Sequence, residues 1–165
     1  MSDMTLRHYA AAPVTFEDDL TYEQREPSRY GKPHGFWVSV QGEDDWPSWC
    51  TNEGLEHWVP FEHAVELASG AKLLILDTAE SLKDFTRSYA IERPWSYEDR
   101  HYVDYCIDWA RLAFEYSGII IAPYQWSQRL DLEWYYGWDC ASGCIWDLTA
   151  IASVELLASR SEVSS

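Results

Sequence analysis

Residues 32–40 place a Pro and a Gly directly before a run of aromatic and β-branched side chains, and this pattern constrains the fold more than any other segment. A turn followed by Phe, Trp and Val is typical of a β-strand. Side chains alternate between the two faces of a strand, so Trp37 and Ser39 share a face. Such a face either packs into a core or lines a pocket. A second strand-like piece, residues 5–10, places His8 within an apolar run.

Short apolar runs recur along the rest of the chain. They predict further strands at residues 71–77, 119–122, 143–147 and 151–157. Helical patterns predict a short helix with irregular chain at 43–59, a helix that Thr78 opens and that ends near Tyr89, and a strongly periodic helix from Tyr102 to Tyr116. Residues 13–31 and 124–138 are predicted to be mainly loops. Because strands and helices do not alternate regularly, we expect an α+β fold with a mixed, mainly antiparallel sheet.

The length and composition fit one globular domain. With 165 residues, of which 47% are apolar, the chain can bury a substantial core. We expect this domain to span residues 1–158 and the polar residues 159–165 to form a tail. Ten Trp side chains supply large rings that either fill the core or stack on a ligand.

The charge excludes several classes of partner. The chain carries 12 Lys and Arg against 28 Asp and Glu, a net charge of −16. Phosphate groups would be repelled, which argues against nonspecific binding to nucleic acid or to anionic membranes. High solubility is one consequence of such a charge, and docking on a basic protein is another. The chain has no apolar run of about 18 residues and no signal peptide at its N-terminus, so we expect a cytoplasmic protein.

The cysteines give little support for a metal site. In a cytoplasmic protein, Cys50, Cys106, Cys140 and Cys144 are expected to be reduced thiols. Zinc sites usually contain Cys-x-x-Cys pairs, whereas Cys140 and Cys144 are separated by three residues. We therefore predict no metal site and keep a metal at Cys140 and Cys144 as a weak alternative. The sequence also lacks Gly-rich phosphate-binding loops and the common hydrolase motifs.

Three segments resemble the ADP-ribosyltransferases. Residues 6–10 (Leu-Arg-His-Tyr-Ala) are similar to the first strand of that fold, which carries a His in patterns such as Leu-x-His-Gly-Ser. Residues 32–39 resemble the family's second strand, of the pattern Gly-Lys-Gly-Ile-Tyr-Phe-Ala. Residues 143–157, a strand, Asp147 and a second strand, are similar to the family's C-terminal part. The resemblance implies an ADP-ribosyltransferase-like fold with segments spread over the whole chain.

The resemblance also implies NAD as the substrate. His8 matches the family His that hydrogen-bonds the NAD ribose, and Trp37 matches the family Tyr whose ring stacks on nicotinamide. Tyr9, beside His8, and Ser39, on the same strand face as Trp37, are predicted to bind the same cofactor. The implied reaction breaks the nicotinamide–ribose bond and transfers ADP-ribose to an unknown acceptor.

One family residue has no counterpart in this chain. A Glu in the family's C-terminal part grips the nicotinamide ribose and stabilises the positive charge that develops as nicotinamide leaves. The matching position here is Ser142 or Gly143. The nearest acid upstream is Asp139, which could equally be a turn residue, and Glu133 lies further back. We predict Asp139 and His8 as the catalytic residues.

Two functions follow from these features. The first is an ADP-ribosyltransferase-like enzyme, in which Arg7 and Arg129 are the cations best placed to meet the pyrophosphate. The second is a noncatalytic acidic interaction protein, for example a phage or mobile-element product that docks on a host protein. The charge of −16, the missing Glu and the many Trp residues favour this second function. Both predict a protein partner or target, and neither needs a membrane.

Overall fold

The structure, a computed structural model, describes the backbone of residues 3–159 and the side chains of residues 3–157. The strands in this range, β1 to β9 in chain order, are Leu6–Ala10, Phe36–Val40, Phe61–Leu67, Leu73–Leu76, Ala90–Tyr97, Arg100–Ile107, Gly118–Ile121, Ser142–Ile145 and Ile151–Ser159. The α-helices, α1 to α3, are Trp46–Asn52, Ala79–Tyr89 and Trp109–Glu115. The predicted tail lies outside the described residues, except for Ser159, whose backbone ends β9.

Seven of these strands form one mixed sheet, in the order β4-β7-β8-β2-β1-β3-β9. Within it, β4 and β7 run parallel, and the other neighbouring pairs run antiparallel. Strands β5 and β6 pair with each other in a separate hairpin. The predicted α+β class and the mixed, mainly antiparallel sheet are therefore confirmed. The resemblance to the ADP-ribosyltransferase fold stays a prediction.

Strands β7 and β8 are buried because they carry apolar or small residues on both faces. Ile119, Ile120 and Ile121 are completely buried. A glycine lets the two strands pack closely: a Cβ on Gly143 would lie 2.6 Å from the carbonyl oxygen of Ile119 and 2.7 Å from Cγ1 of Ile120. The strands predicted at 119–122 and 143–147 are thus confirmed as β7 and β8, although β8 ends at Ile145.

Helix α2 packs one apolar face into this core. Thr78 begins it as predicted: its hydroxyl accepts the Ser81 N–H at 3.0 Å, and the Ser81 hydroxyl accepts the Thr78 N–H at 3.1 Å. Leu82, Phe85 and Tyr89 recur at helical spacing and are buried. The Phe85 ring lies among those of other large aromatic residues, namely Tyr89, Trp109 and Trp134.

The predicted helix from Tyr102 to Tyr116 is wrong. Its first half is strand β6, and its second half is the short helix α3, which begins after Asp108. The Asp108 side chain caps α3 by accepting the Arg111 N–H at 3.1 Å. Residues 100–107 are strand because they pair with β5, and Trp95 stacks on Tyr102 across the hairpin.

Two strands were not predicted at all. In β3, buried His63 and Val65 alternate with Glu62 and Glu66, a half-buried strand pattern that the sequence analysis passed over. The other is β5, which contains Pro94 and has mostly exposed side chains. Within residues 3–159, no helix is both long enough and apolar enough to cross a membrane.

We expect Gly143→Ala to lower the free energy of unfolding by about 1–3 kcal/mol, because the added methyl group must displace buried backbone and an Ile side chain. Gly137→Ala is the matched control, since its Cβ would meet only the flexible end of Lys32, at 3.2 Å. Urea unfolding measures both variants. Equal stability of the two would contradict the close packing of β7 against β8.

Candidate functional site

A cavity of about 560 Å³ lies against β1, β2 and β8. Its volume falls within the range of small-molecule sites, ~300–1,000 Å³. The residues predicted to be catalytic or to bind the cofactor line this cavity, namely His8, Tyr9, Trp37, Ser39 and Asp139. Of the two cations predicted to meet the pyrophosphate, Arg7 lines the cavity and Arg129 does not. The cavity therefore brings together residues from both ends of the chain.

The cavity lies where β1 and β2 separate. These strands pair at two positions only, Leu6 with Val40 and Arg7 with Ser39. Strand β1 stays paired with β3 along its whole length, while β2 stays paired with β8. Beyond Arg7 the two strands no longer share a backbone ladder, and this leaves room for a ligand between their side chains.

The His8 ring bridges the separated strands. Its Nδ1 donates a hydrogen bond to the Trp37 carbonyl oxygen at 2.6 Å, and the ring stacks on Phe36 with centroids 4.1 Å apart. This bond fixes the proton on Nδ1 and leaves Nε2 as the acceptor of the neutral ring. Burial lowers the pKa of His8; the backbone bond to Trp37 opposes this effect and nearby His63 adds to it. His8 is therefore a neutral hydrogen-bonding group at neutral pH.

Behind His8 lies His63, whose role the sequence analysis missed. His63 is buried, accepts the Val14 N–H on Nε2 at 3.0 Å and lies with Nδ1 3.2 Å from the His8 carbonyl oxygen. Nδ1 donates in this second bond, because a carbonyl oxygen can only accept. His63 thus anchors the backbone of β1 at the point where it leaves β2.

Trp37 and Ser39 occupy the β2 side of the cavity. The partly buried Trp37 ring meets Trp138 edge to face at 5.0 Å, and the Lys32 ammonium lies 5.5 Å from its centroid. The Ser39 hydroxyl accepts the backbone N–H of Trp46 at 2.9 Å. Ser39 therefore fixes the start of α1 beside the cavity.

Asp139 reaches the cavity as an ion-paired carboxylate. Its Oδ1 lies 3.4 Å from Nη2 of Arg129, and each side chain is one quarter exposed. Arg129 also donates to the Tyr124 hydroxyl at 2.9 Å, and it is not among the cavity-lining residues. The other candidate acid, Glu133, pairs with Arg29 at 2.6 Å and does not line the cavity. Of the two acids, only Asp139 lines the cavity.

The cavity is locally cationic although the protein is strongly acidic. Arg7 and Lys32 line it, against the single carboxylate of Asp139. Glu62 orients Arg7: its Oε1 lies 3.3 Å from the buried Arg7 Nε, in an ion pair that lacks hydrogen-bond geometry at that nitrogen. The Tyr9 hydroxyl donates to the same Glu62 oxygen at 3.2 Å.

Trp rings make up much of the lining, and of these the sequence analysis predicted only Trp37 for this site. The Trp residues that line the cavity are Trp37, Trp46, Trp58 and Trp138. Together with the two cations, these rings suit a ligand that carries both aromatic rings and negative charge.

The cysteine that lines the cavity is not activated as a nucleophile. Cys140 lines the cavity, and burial raises its pKa to about 12, so its thiol keeps its proton at neutral pH. Burial also raises the pKa of Cys144. Across the part of the chain that the structure describes, no three His, Cys, Asp or Glu side chains are grouped so that they could hold a metal ion.

No protein-family model, curated protein or solved structure matches this chain. Function is therefore inferred from the chemistry of the cavity and from the sequence resemblance.

We expect the His8 ring to titrate with a pKa below about 6.5, because burial disfavours its charged form. As the pH falls through the unfolded-state pKa of about 6.5, the unfolded chain takes up a proton before the folded protein does. The free energy of unfolding therefore decreases until the pH has passed the lower, folded-state pKa of His8. His8→Asn keeps a donor for the Trp37 carbonyl and should remove this part of the acid sensitivity. Proton NMR, with His8→Asn to assign the resonance, measures the midpoint. A midpoint above about 6.5 would contradict the buried, neutral ring.

Proposed function

We propose that the protein binds NAD in this cavity and acts as an ADP-ribosyltransferase-like enzyme. The observation that supports this most strongly is the convergence of His8, Tyr9, Trp37, Ser39 and Asp139 on one cavity. Asp139 follows Ser39 by 100 residues in the sequence (139 − 39), so their proximity is a product of the fold. The sequence alone predicts these residues for an NAD site.

The chemistry of the lining suits a dinucleotide. The Trp37 ring offers a partly exposed π surface for nicotinamide, and Lys32 beside it offers positive charge for a phosphate. Arg7 supplies a second positive charge beside the cavity, with its Nε buried against Glu62 and its Nη1 donating to the Leu6 carbonyl oxygen at 3.1 Å. In a protein of charge −16, these two cations make the cavity a local site for an anion.

His8 is proposed to hold the ribose. Its Nδ1 bond to Trp37 fixes the ring orientation, and its lowered pKa keeps Nε2 unprotonated. Nε2 can then accept a hydrogen bond from a ribose hydroxyl. The same ring holds the Trp37 backbone, so the ribose and nicotinamide positions are linked through one side chain.

In the proposed reaction, the bond between the ribose C1′ and the nicotinamide nitrogen breaks. Its electron pair moves to the nicotinamide ring, which leaves as a neutral molecule, and positive charge develops on the ribose. The Asp139 carboxylate stabilises that charge electrostatically. An acceptor then adds a lone pair to C1′ and releases a proton. Because Arg129 offsets part of the Asp139 charge, we expect slow turnover.

Docking on a basic protein is a second proposed function. The net charge of −16 and the exposed rings of the β5–β6 hairpin favour it. It is compatible with NAD binding, because the hairpin strands do not line the cavity.

Calorimetry with NAD and a nicotinamide-release assay test the enzyme proposal. We expect Trp37→Leu to weaken NAD binding by about tenfold or more, because it removes a stacking surface. Asp139→Asn should bind NAD nearly as well as the wild type but release nicotinamide at least about 100-fold more slowly. Glu133→Gln is the matched control, since it removes a nearby carboxylate that does not line the cavity.

The outcomes separate binding from chemistry. If the protein binds NAD but releases no nicotinamide, the enzyme proposal fails and the protein is a nucleotide-binding protein. If the wild-type protein does not bind NAD, the NAD-binding proposal and the enzyme proposal both fail. Equal loss of release in Glu133→Gln and Asp139→Asn would remove the specific role of Asp139.

A further inference from the structure

The Lys32 side chain lies over the ring to which the proposed function assigns nicotinamide. Its ammonium is 5.5 Å from the centroid of the Trp37 ring, within the range of a cation–π contact. Its Cε lies 3.2 Å from the position that a Cβ would take on Gly137. Within residues 3–157, no ion pair joins the exposed Lys32 to a carboxylate. The Trp37 ring is therefore already in contact with a positive charge, and leaving the ring breaks no ion pair of Lys32 within that range.

The backbone on both sides of Lys32 is fixed, whereas its ammonium is on a long flexible stem. The Gly31 carbonyl oxygen accepts the Trp109 indole N–H at 2.9 Å. Pro33 is buried, and a proline restricts the backbone of the residue before it to extended conformations. The four-carbon stem can therefore carry the ammonium from the ring to another point in the cavity without moving the chain. Arg7 lacks this freedom, because its Nε is buried in an ion pair at 3.3 Å.

We propose that the Trp37 ring is a selective site for a flat organic cation, and that Lys32 is the group that such a cation displaces. This selectivity rests on the proposed NAD function and narrows it to the oxidised form of the cofactor. The nicotinamide ring is positively charged in oxidised NAD and neutral in NADH. Trp gives the strongest cation–π attraction of the aromatic side chains. The oxidised ring can therefore replace the ammonium as one cation for another, whereas the neutral ring of NADH would lose that attraction.

A carboxylate lies close enough to support a cation at this position. The charges of Asp139 and Lys32 both act on the buried thiol of Cys140. Burial raises the pKa of Cys140 to about 12, the Asp139 carboxylate adds to this effect, and the Lys32 ammonium opposes it. All three residues line the cavity. A cationic ring that takes the place of the ammonium on Trp37 therefore keeps a negative group nearby.

The displaced ammonium finds a new partner only in a ligand that also carries phosphate. The pyrophosphate of NAD is negatively charged, and a lysine ammonium binds phosphate oxygens. A pyridinium cation without phosphate offers Lys32 no such partner, so the two positive charges repel each other at the ring. Lys32 should therefore favour NAD and disfavour a lone pyridinium cation. A purely structural lysine would not affect these two ligands in opposite directions.

Four ligands test the site on the intact protein: NAD, NADH, the cation 1-methylnicotinamide and neutral nicotinamide. Calorimetry measures the two dinucleotides, and ligand-observed NMR titration measures the two small ligands. We expect the wild type to bind NAD at least about fivefold more tightly than NADH, and Trp37→Leu to reduce this preference to less than about twofold. In Lys32→Met, the affinity for 1-methylnicotinamide should rise at least about threefold, whereas the affinity for NAD should fall.

Lys72→Met is the matched control. The Lys72 ammonium also lies over an aromatic ring, 5.3 Å from the Tyr116 centroid, but it does not line the cavity. This variant should leave all four affinities unchanged. Because Lys32 is exposed, Lys32→Met is expected to fold, and near-ultraviolet circular dichroism checks this.

The outcomes distinguish the cation site from the proposed function. Equal affinities for NAD and NADH would overturn the cation site while leaving NAD binding in place. An affinity for 1-methylnicotinamide that is undetectable, equal to that of nicotinamide in Lys32→Met, or not raised by this substitution would also overturn it. If Lys32→Met binds 1-methylnicotinamide more tightly than nicotinamide and the wild type binds no NAD, the cation site is supported and the proposed function fails.

Discussion

The separation of β1 from β2 after two residue pairs is the constraint on which the site depends. Had their backbone ladder continued past Arg7 and Ser39, the side chains of the two strands would close over the space that the cavity occupies. The His8 bond to the Trp37 carbonyl, at 2.6 Å, replaces the missing ladder without closing the gap. On the β3 side of β1, His63 donates a hydrogen bond to the His8 carbonyl oxygen. Hydrogen bonds from two imidazole rings therefore fix the position of β1 beside the cavity.

Electrostatics divide the molecule into two kinds of surface. The chain as a whole is strongly acidic, yet Arg7 and Lys32 make the cavity a place where an anion can bind. The single carboxylate there, Asp139, is itself held by Arg129. The β5–β6 hairpin differs from the cavity in that it exposes several large apolar side chains, among them Trp95, Tyr97 and Tyr105. The proposed anionic ligand and the proposed protein partner therefore fall at different places on the molecule.

Local pattern was enough to predict the strands that build the site, because Phe36–Val40 is a run of aromatic and β-branched residues after a turn and Leu6–Ala10 is part of a short apolar run. It failed for residues 102–116, where helical spacing arose by chance across a strand and a short helix that meet at Asp108. Pairing with β5, a tertiary effect, decided that region. The choice between Asp139 and Glu133, and the bracing role of His63, depend on contacts between distant segments, which no single-sequence pattern contains.

Fluorine NMR of the protein labelled with 5-fluorotryptophan tests the central claim most directly. The ten Trp residues report on the cavity, the core and the hairpin in one spectrum, and single Trp→Phe variants assign them. Titration with NAD should shift the resonances of Trp37 and Trp138 and leave that of Trp95, on the hairpin, unchanged. Unchanged Trp37 and Trp138 resonances at high NAD concentration, or a shift at Trp95 alone, would contradict an NAD site between β1 and β2.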